Sequence, residues 1–141
     1  MPSSDTSVHQ EAEAAILRAA ATFLERPDLR ERRVNLPGGS LVEVAGATDD
    51  MSAFVQVYAH QGAMKGGQKR KLALDVLKLI TLRKHHPNAQ LYLAFCSDTA
   101  RASITGWTAE AIATWKVRTL VLPLEDELRE RLVRTQAVLS R

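Results

Sequence analysis

An α/β fold with a mixed central sheet is predicted by three features of this 141-residue sequence. Two strand-like runs flank a Pro-Gly-Gly turn and are followed by a third, which calls for antiparallel pairing at the front of the chain. Two later apolar runs are each preceded by a helical stretch, and such helices supply the crossovers that parallel pairing requires. Finally, 45% hydrophobic and 25% charged residues in a chain of this length fit one core and one domain, 1–141.

Residues 1–8, which begin "MPSSDTS", are polar and are expected to form a flexible tail. A first helix is predicted over 9–26, because Ala12, Ile16, Ala19, Ala20, Phe23 and Leu24 recur at helical spacing and Pro27 ends the pattern. Glu11 and Glu13 fall in its first turns, where the helix dipole favours carboxylates. "RRVNL" and "SLVEVAG" around "PGGS" read as a hairpin over 32–45. After the turn "ATDDMS" comes a third strand, 53–60, with Val55, Val57 and Ala59 on one face and Phe54, Gln56, Tyr58 and His60 on the other. The polar content of that second face predicts only partial commitment to the core.

The longest helix is predicted from about Gly67 to His85, stopped by Pro87. Leu72, Val76, Leu79, Ile80 and Arg83 trace one side of it, while Gln68, Lys71, Asp75 and Lys78 line another. "QLYLAFCS" is a nearly continuous apolar run of the kind found in interior strands. A short helix over 108–115 follows, with Thr108 as N-cap, then "VRTLVLP" as a buried strand. The last helix, 124–140, carries Glu125/Arg129, Glu127/Arg131 and Glu130/Arg134 at four-residue spacing, the pattern of a solvent-facing helix.

The net charge of +3 is modest, but its distribution is uneven. Between Lys65 and Lys84 stand Lys65, Lys69, Arg70, Lys71, Lys78, Arg83 and Lys84 against Asp75 alone. The first thirty residues lean acidic, so a polyanion-facing surface is expected beside an acidic one. No apolar run approaches the roughly 20 residues needed to cross a bilayer, and a secretory signal pattern is lacking, so a cytoplasmic protein is expected. The single cysteine, Cys96, excludes an intrachain disulfide and a cysteine-rich zinc site.

The αβββαβ order over roughly residues 9–96 resembles the core of the PD-(D/E)XK nuclease superfamily, the restriction-endonuclease-like fold, here with an added C-terminal strand and helix. "YAHQGAMKGGQKRKLALDVLKL" is similar to a run in bacterial proteins of this type. The resemblance implies an acid on the second strand and an E-x-K pair on the third, together holding a divalent metal and orienting the attacking water. The pair falls on Gln56-Val57-Tyr58, and the second-strand acid on Glu43, or on Ala45 if the register shifts by two. If active, the protein is then a magnesium-dependent endonuclease. Its catalytic positions are Glu43, Gln56, Tyr58 and Lys69, the last standing in for the missing lysine alongside Lys65 or Lys71. Metal-binding carboxylates are Glu13, Glu43 and, as a spare, Asp50. On this reading Glu43 and Gln56 point into one cleft from adjacent strands. Gln56 and Tyr58 depart from the acid and lysine of the pattern and imply a degenerate site, with cleavage weakened or lost and magnesium either bound weakly or absent.

Independently of any family, "KGGQKRK" places glycines before a helix whose first backbone N–H groups are natural anion donors. His60, Lys65, Gln68, Lys69, Arg70, Lys71 and Lys78 are the candidate contacts to DNA or RNA phosphates. Simple loop glycines and solvated lysines are the bland alternative. Asp49 and Asp50 suit a turn, and Cys96 a small buried filler. Trp107 and Trp115 are read as core or subunit packing rather than base stacking, which leaves a homodimer open. Three functions compete: a metal-dependent nuclease, a non-catalytic nucleic-acid-binding module, and an assembly or protein-interaction module on the same fold.

Overall fold

The computed structural model describes residues 4–139, folded as helix, sheet and helix layers. In chain order the elements are α1 (Ser4–Phe23), β1 (Arg30–Asn35), β2 (Leu41–Ala47), β3 (Ala53–Tyr58) and α2 (Gly66–His85). There follow β4 (Gln90–Phe95), α3 (Asp98–Ala102), α4 (Gly106–Thr114), β5 (Val117–Val121) and α5 (Asp126–Leu139). The five strands lie in the order β1-β2-β3-β4-β5. β2 runs antiparallel to both neighbours, whereas β3, β4 and β5 are parallel, which gives the expected mixed sheet.

α1 begins at Ser4, so residues 4–8 of the expected tail are helical; residues 1–3 lie outside the described residues. The chain leaves α1 before Pro27, with Glu25 at φ 56. The predicted hairpin forms, and Gly39 at φ 91 provides the left-handed residue that lets Leu36 N–H reach the Ser40 carbonyl at 2.8 Å. α4 starts at Gly106, with Thr105 rather than Thr108 in the cap position. α3 has no counterpart in the sequence reading, because five residues are too few for helical periodicity to register.

One side of the sheet is covered by α1 and α5. Val8, Ala12, Ile16 and Ala20 of α1, each four residues from the last, pack with Val55, Val57, Ala94 and Leu132. Among the described residues, the charges of α5 do not form the Glu-before-Arg pairs at four residues that its spacing suggested. Arg131 forks onto both carboxylate oxygens of Glu11 in α1, at 3.0 and 3.3 Å, and Arg129 meets Asp126 at 2.8 Å. The other side of the sheet is covered by α2, with Leu72, Val76, Leu79 and Leu82 against Phe54, Leu91, Leu93 and Phe95, and with α3 and α4 adding Ala100 and Ile112. Ile80 is only half-buried and Arg83 sits at the rim, so the buried row of α2 is rotated slightly from the expected one.

β3 is the centre of the sheet, and all six of its residues are buried. The expectation of a half-solvated second face is therefore corrected: Phe54 and Tyr58 are core, the Tyr58 ring stacking 5.2 Å from Phe95. A bulge shapes the neighbouring strand. Arg30 pairs with Ala47 but Arg32 with Val44, so Ala45 and Gly46 together oppose Glu31. Gly46 is pressed against α1, where a β-carbon would lie 2.5 Å from Leu17 Cδ1.

Candidate functional site

A small cleft of about 100 Å³ opens at the C-terminal end of β3, between α1 and α2. α1 contributes His9 and Glu13; β3 and its continuation contribute Val57, Tyr58, Ala59 and His60; the loop and α2 contribute Met64, Gln68 and Lys71. The predicted residues Glu13, Tyr58, His60, Gln68 and Lys71 are thus brought together.

Asp75, which the sequence reading placed beside Lys71 without assigning it a role, organises the α2 side. It is 2% exposed, and its Oδ2 accepts the Tyr58 hydroxyl at 2.8 Å and Lys71 Nζ at 2.9 Å. Lys78 Nζ stands 4.0 Å from Oδ1, and the Lys71 ammonium lies 5.3 Å from the Tyr58 ring centroid. The i,i+4 and i,i+3 spacings of Lys71, Asp75 and Lys78 put all three on one face of α2, and that row was the signal available in the sequence. Burial, followed by the Asp75 charge, pushes the Tyr58 phenol well above its ordinary range. Tyr58 is therefore a neutral hydrogen-bond donor, and it cannot perform the electrostatic work of a lysine.

His60 is held by both ring nitrogens. Nε2–H donates to the Ala63 carbonyl at 3.0 Å, and Nδ1 accepts from Gln68 Nε2 at 3.0 Å. The other end of the Gln68 amide accepts Lys65 N–H at 2.7 Å, which closes the first turn of α2. Burial lowers the His60 pKa, with the Lys65 and His9 charges adding to it and the Ala63 contact opposing. The loop is pinned elsewhere by residues the sequence did not single out. Gln136 of α5 brackets Gln61, accepting its N–H at 2.8 Å and donating to its carbonyl at 2.9 Å, while Met64 N–H donates to Ser103 Oγ at 2.9 Å. Cys96 is buried beneath this loop, its thiol pushed up by burial, as suits a filler.

The remaining candidates lie elsewhere. Glu43 is exposed on β2 between Val42 and Val44, which both point to the α2 side, and it pairs with Arg33 at 3.1 Å across the hairpin. Gln56 is flanked by Val55 and Val57, which point to the α1 side, so its own side chain is on the α2 side, where Oε1 accepts Ala45 N–H at 3.0 Å. Glu43 and Gln56 are therefore on opposite faces of the sheet, and the expected shared cleft is not formed. Gln56 instead satisfies a backbone donor at the bulge. Asp50 is at the other end of β3, in the preceding turn, bonded to Ser52 Oγ at 2.6 Å and Arg26 at 3.0 Å. Those two contacts hold its carboxyl well below the usual range. Lys69, Arg70 and Lys78 are exposed on α2, and Arg70 faces away from the cleft.

Glu13, Glu43 and Asp50 do not converge, and among the described residues Glu13 is the only carboxylate that lines the cleft, 3.7 Å from His9. Among the described residues no group of three or more His, Cys, Asp or Glu side chains is arranged to hold an ion. The donor set thus does not fit the magnesium implied by the family resemblance. No helix among the described residues is long and apolar enough to cross a membrane. Compared with protein-family models, curated proteins and solved structures, the chain matches none of them.

Proposed function

We propose that this chain is a nuclease-like nucleic-acid-binding protein of the PD-(D/E)XK type that binds DNA or RNA without cleaving it. The observation that carries this reading is the distribution of charge on α2. Its one carboxylate, Asp75, is buried, so solvent meets the cations Lys69, Arg70, Lys71, Lys78 and Lys84 with no acid of the same helix among them. A helix of that kind attracts phosphates through charge-assisted contacts. The αβββαβ order and the mixed sheet accord with the fold that the resemblance implies. Loss of cleavage is supported by Tyr58 at the lysine position, by the engagement of Lys71 with Asp75, and by the separation of Glu43 from Gln56.

The test is fluorescence anisotropy with labelled duplex and single-stranded oligonucleotides from about 50 to 200 mM salt. Binding that falls steeply with salt, and that weakens further in Lys69→Gln/Lys78→Gln, is the expected result. Absence of binding at the lowest salt overturns it.

A further inference from the structure

We propose that the groove between α2 and α4 is a docking site for an acidic amphipathic helix of another protein. Large apolar side chains are exposed there together: Leu74 is 61% exposed, Leu77 58%, Trp107 74% and Trp115 51%. With the half-buried Ile80 they line a trough of about 500 Å³, continuous through Leu77, Ile80 and Trp115 with a second of about 710 Å³. Trp107 and Trp115 are accordingly not part of the core of this chain, which corrects the core half of the expected core or subunit packing. Large apolar side chains gathered at one exposed place, rather than scattered singly, are the mark of an interaction site.

The groove is built, and its charge selects the occupant. The Arg83 guanidinium donates to the carbonyls of Trp115 and Lys116, fastening the end of α4 to α2 and fixing the distance between the two walls. Leu74, Leu77 and Ile80, three residues apart along α2, present the ridge that a helix with anchors at i, i+3, i+4 and i+7 fills. Among the described residues, the charged side chains lining the troughs are Arg70 in the first and Arg83 and Lys84 in the second, with no carboxylate. Glu110 of α4 is exposed but lies outside the lining. A two-fold pairing of this face with itself sets those cations against their own copies, so complementarity requires carboxylates on a different chain. Leu74, Leu77 and Ile80 form an aliphatic ridge that offers apolar anchors to a helix and nothing for a sugar-phosphate backbone to pair with, which favours a protein helix as occupant. This face is on the side of α2 away from the cleft; it shares Arg70 and Lys84 with the basic surface of that helix, but its apolar ridge is a separate observation from the nucleic-acid reading.

Trp107 and Trp115 are the only tryptophans, so intrinsic fluorescence reports the groove directly. The full chain is titrated with a designed helical peptide bearing a Leu stripe at i, i+3, i+4 and i+7 flanked by Glu. The controls are the same peptide with Lys in place of Glu, one with the stripe scrambled, and a single-stranded oligonucleotide. The expected result is a blue-shifted tryptophan emission with the acidic peptide and at least tenfold weaker binding of both control peptides. Leu77→Ser, at an exposed position that leaves the circular dichroism spectrum unchanged, abolishes the shift. No shift with the acidic peptide, or equal binding of the lysine peptide, overturns the proposal. So does a blue shift that grows with protein concentration alone, which identifies a second copy as occupant, or an oligonucleotide-induced shift that Leu77→Ser removes.

Discussion

The Tyr58 hydroxyl donates to Asp75 Oδ2 at 2.8 Å, joining the last residue of the central strand to the middle of the helix that covers it. The same oxygen takes the Lys71 ammonium, so one carboxylate satisfies a buried phenol and an exposed cation together. A buried polar group is tolerated when its partners are complete, and removing one partner leaves the other exposed to the full desolvation cost. The arrangement is thus a packing lock that ties the central strand to α2.

Tyr58→Phe is expected to lower stability by about 1–2 kcal/mol, because Asp75 keeps Lys71. Asp75→Ala is expected to cost more, about 2–4 kcal/mol, since it strands the phenol and opens a cavity. The double variant should fall short of the sum in urea denaturation, because the two residues share one interaction. Additive costs would show that the bond contributes little. The phenol also sets an alkaline limit. Its pKa is above 10.0 in the folded chain, so the unfolded chain loses the proton first. The contribution is complete below pH 10 and declines as pH rises beyond it, and Tyr58→Phe should be less sensitive to alkali than the native chain.

Gln56→Glu is expected not to create a nuclease. A carboxylate at 56 still points to the α2 side, away from Glu43, and it buries a charge beside the bulge where the amide now accepts Ala45 N–H. The cost is about 2 kcal/mol or more, read as a lower urea midpoint. Phosphodiester cleavage by this variant with magnesium or manganese would show that the strands can bring the two positions together.

The hairpin, the central strand and the long helix were legible in the sequence because a strong turn, period-two alternation and period-3.6 recurrence are all local signals. The row Gln68, Lys71, Asp75 and Lys78 was legible for the same reason. What that row contacts was not, since the partner of Asp75 is 17 residues away and is chosen by how the helix lies on the sheet. Gln56 and Tyr58 looked solvent-facing because polar residues usually are, yet each found an internal partner in Ala45 N–H or Asp75. Glu43 was placed with Gln56 on a register that the bulge at Ala45 and Gly46 breaks. Trp107 and Trp115 show a further limit: an apolar helix face can be read from sequence, but not whether anything covers it.

Gly46→Val tests the bulge. A branched side chain there meets Leu17 Cδ1 and, less yieldingly, Leu29 Cγ at 3.1 Å from the first added carbon. Leu17 can swing its tip aside, whereas Leu29 is held by its own burial. Overpacking of this kind costs about 1–3 kcal/mol, and thermal denaturation should show it as a lower midpoint. An unchanged midpoint would mean that α1 moves away from β2 freely.

His60 should make the fold sensitive to mild acid. Burial, Lys65 and His9 lower its pKa below 6.5 in the folded chain, and its two ring nitrogens are committed to Ala63 and Gln68 in the neutral form. Protonation converts Nδ1 from acceptor to donor and sets it against the Gln68 amide. The unfolded chain therefore takes up this proton first, so the stabilisation is whole above pH 6.5 and is lost as pH falls below that value. The thermal midpoint should drop between pH 7 and pH 5, and by less in His60→Gln, which retains His9, His85 and His86 and so isolates this one ring. A proton NMR titration checks the cause directly: the His60 imidazole should titrate with a midpoint below 6.5, and Gln68→Ala should raise it by freeing Nδ1. A His60 midpoint at or above 6.5 in the native chain would show that the ring is solvated and that the Gln68 contact does not hold it neutral.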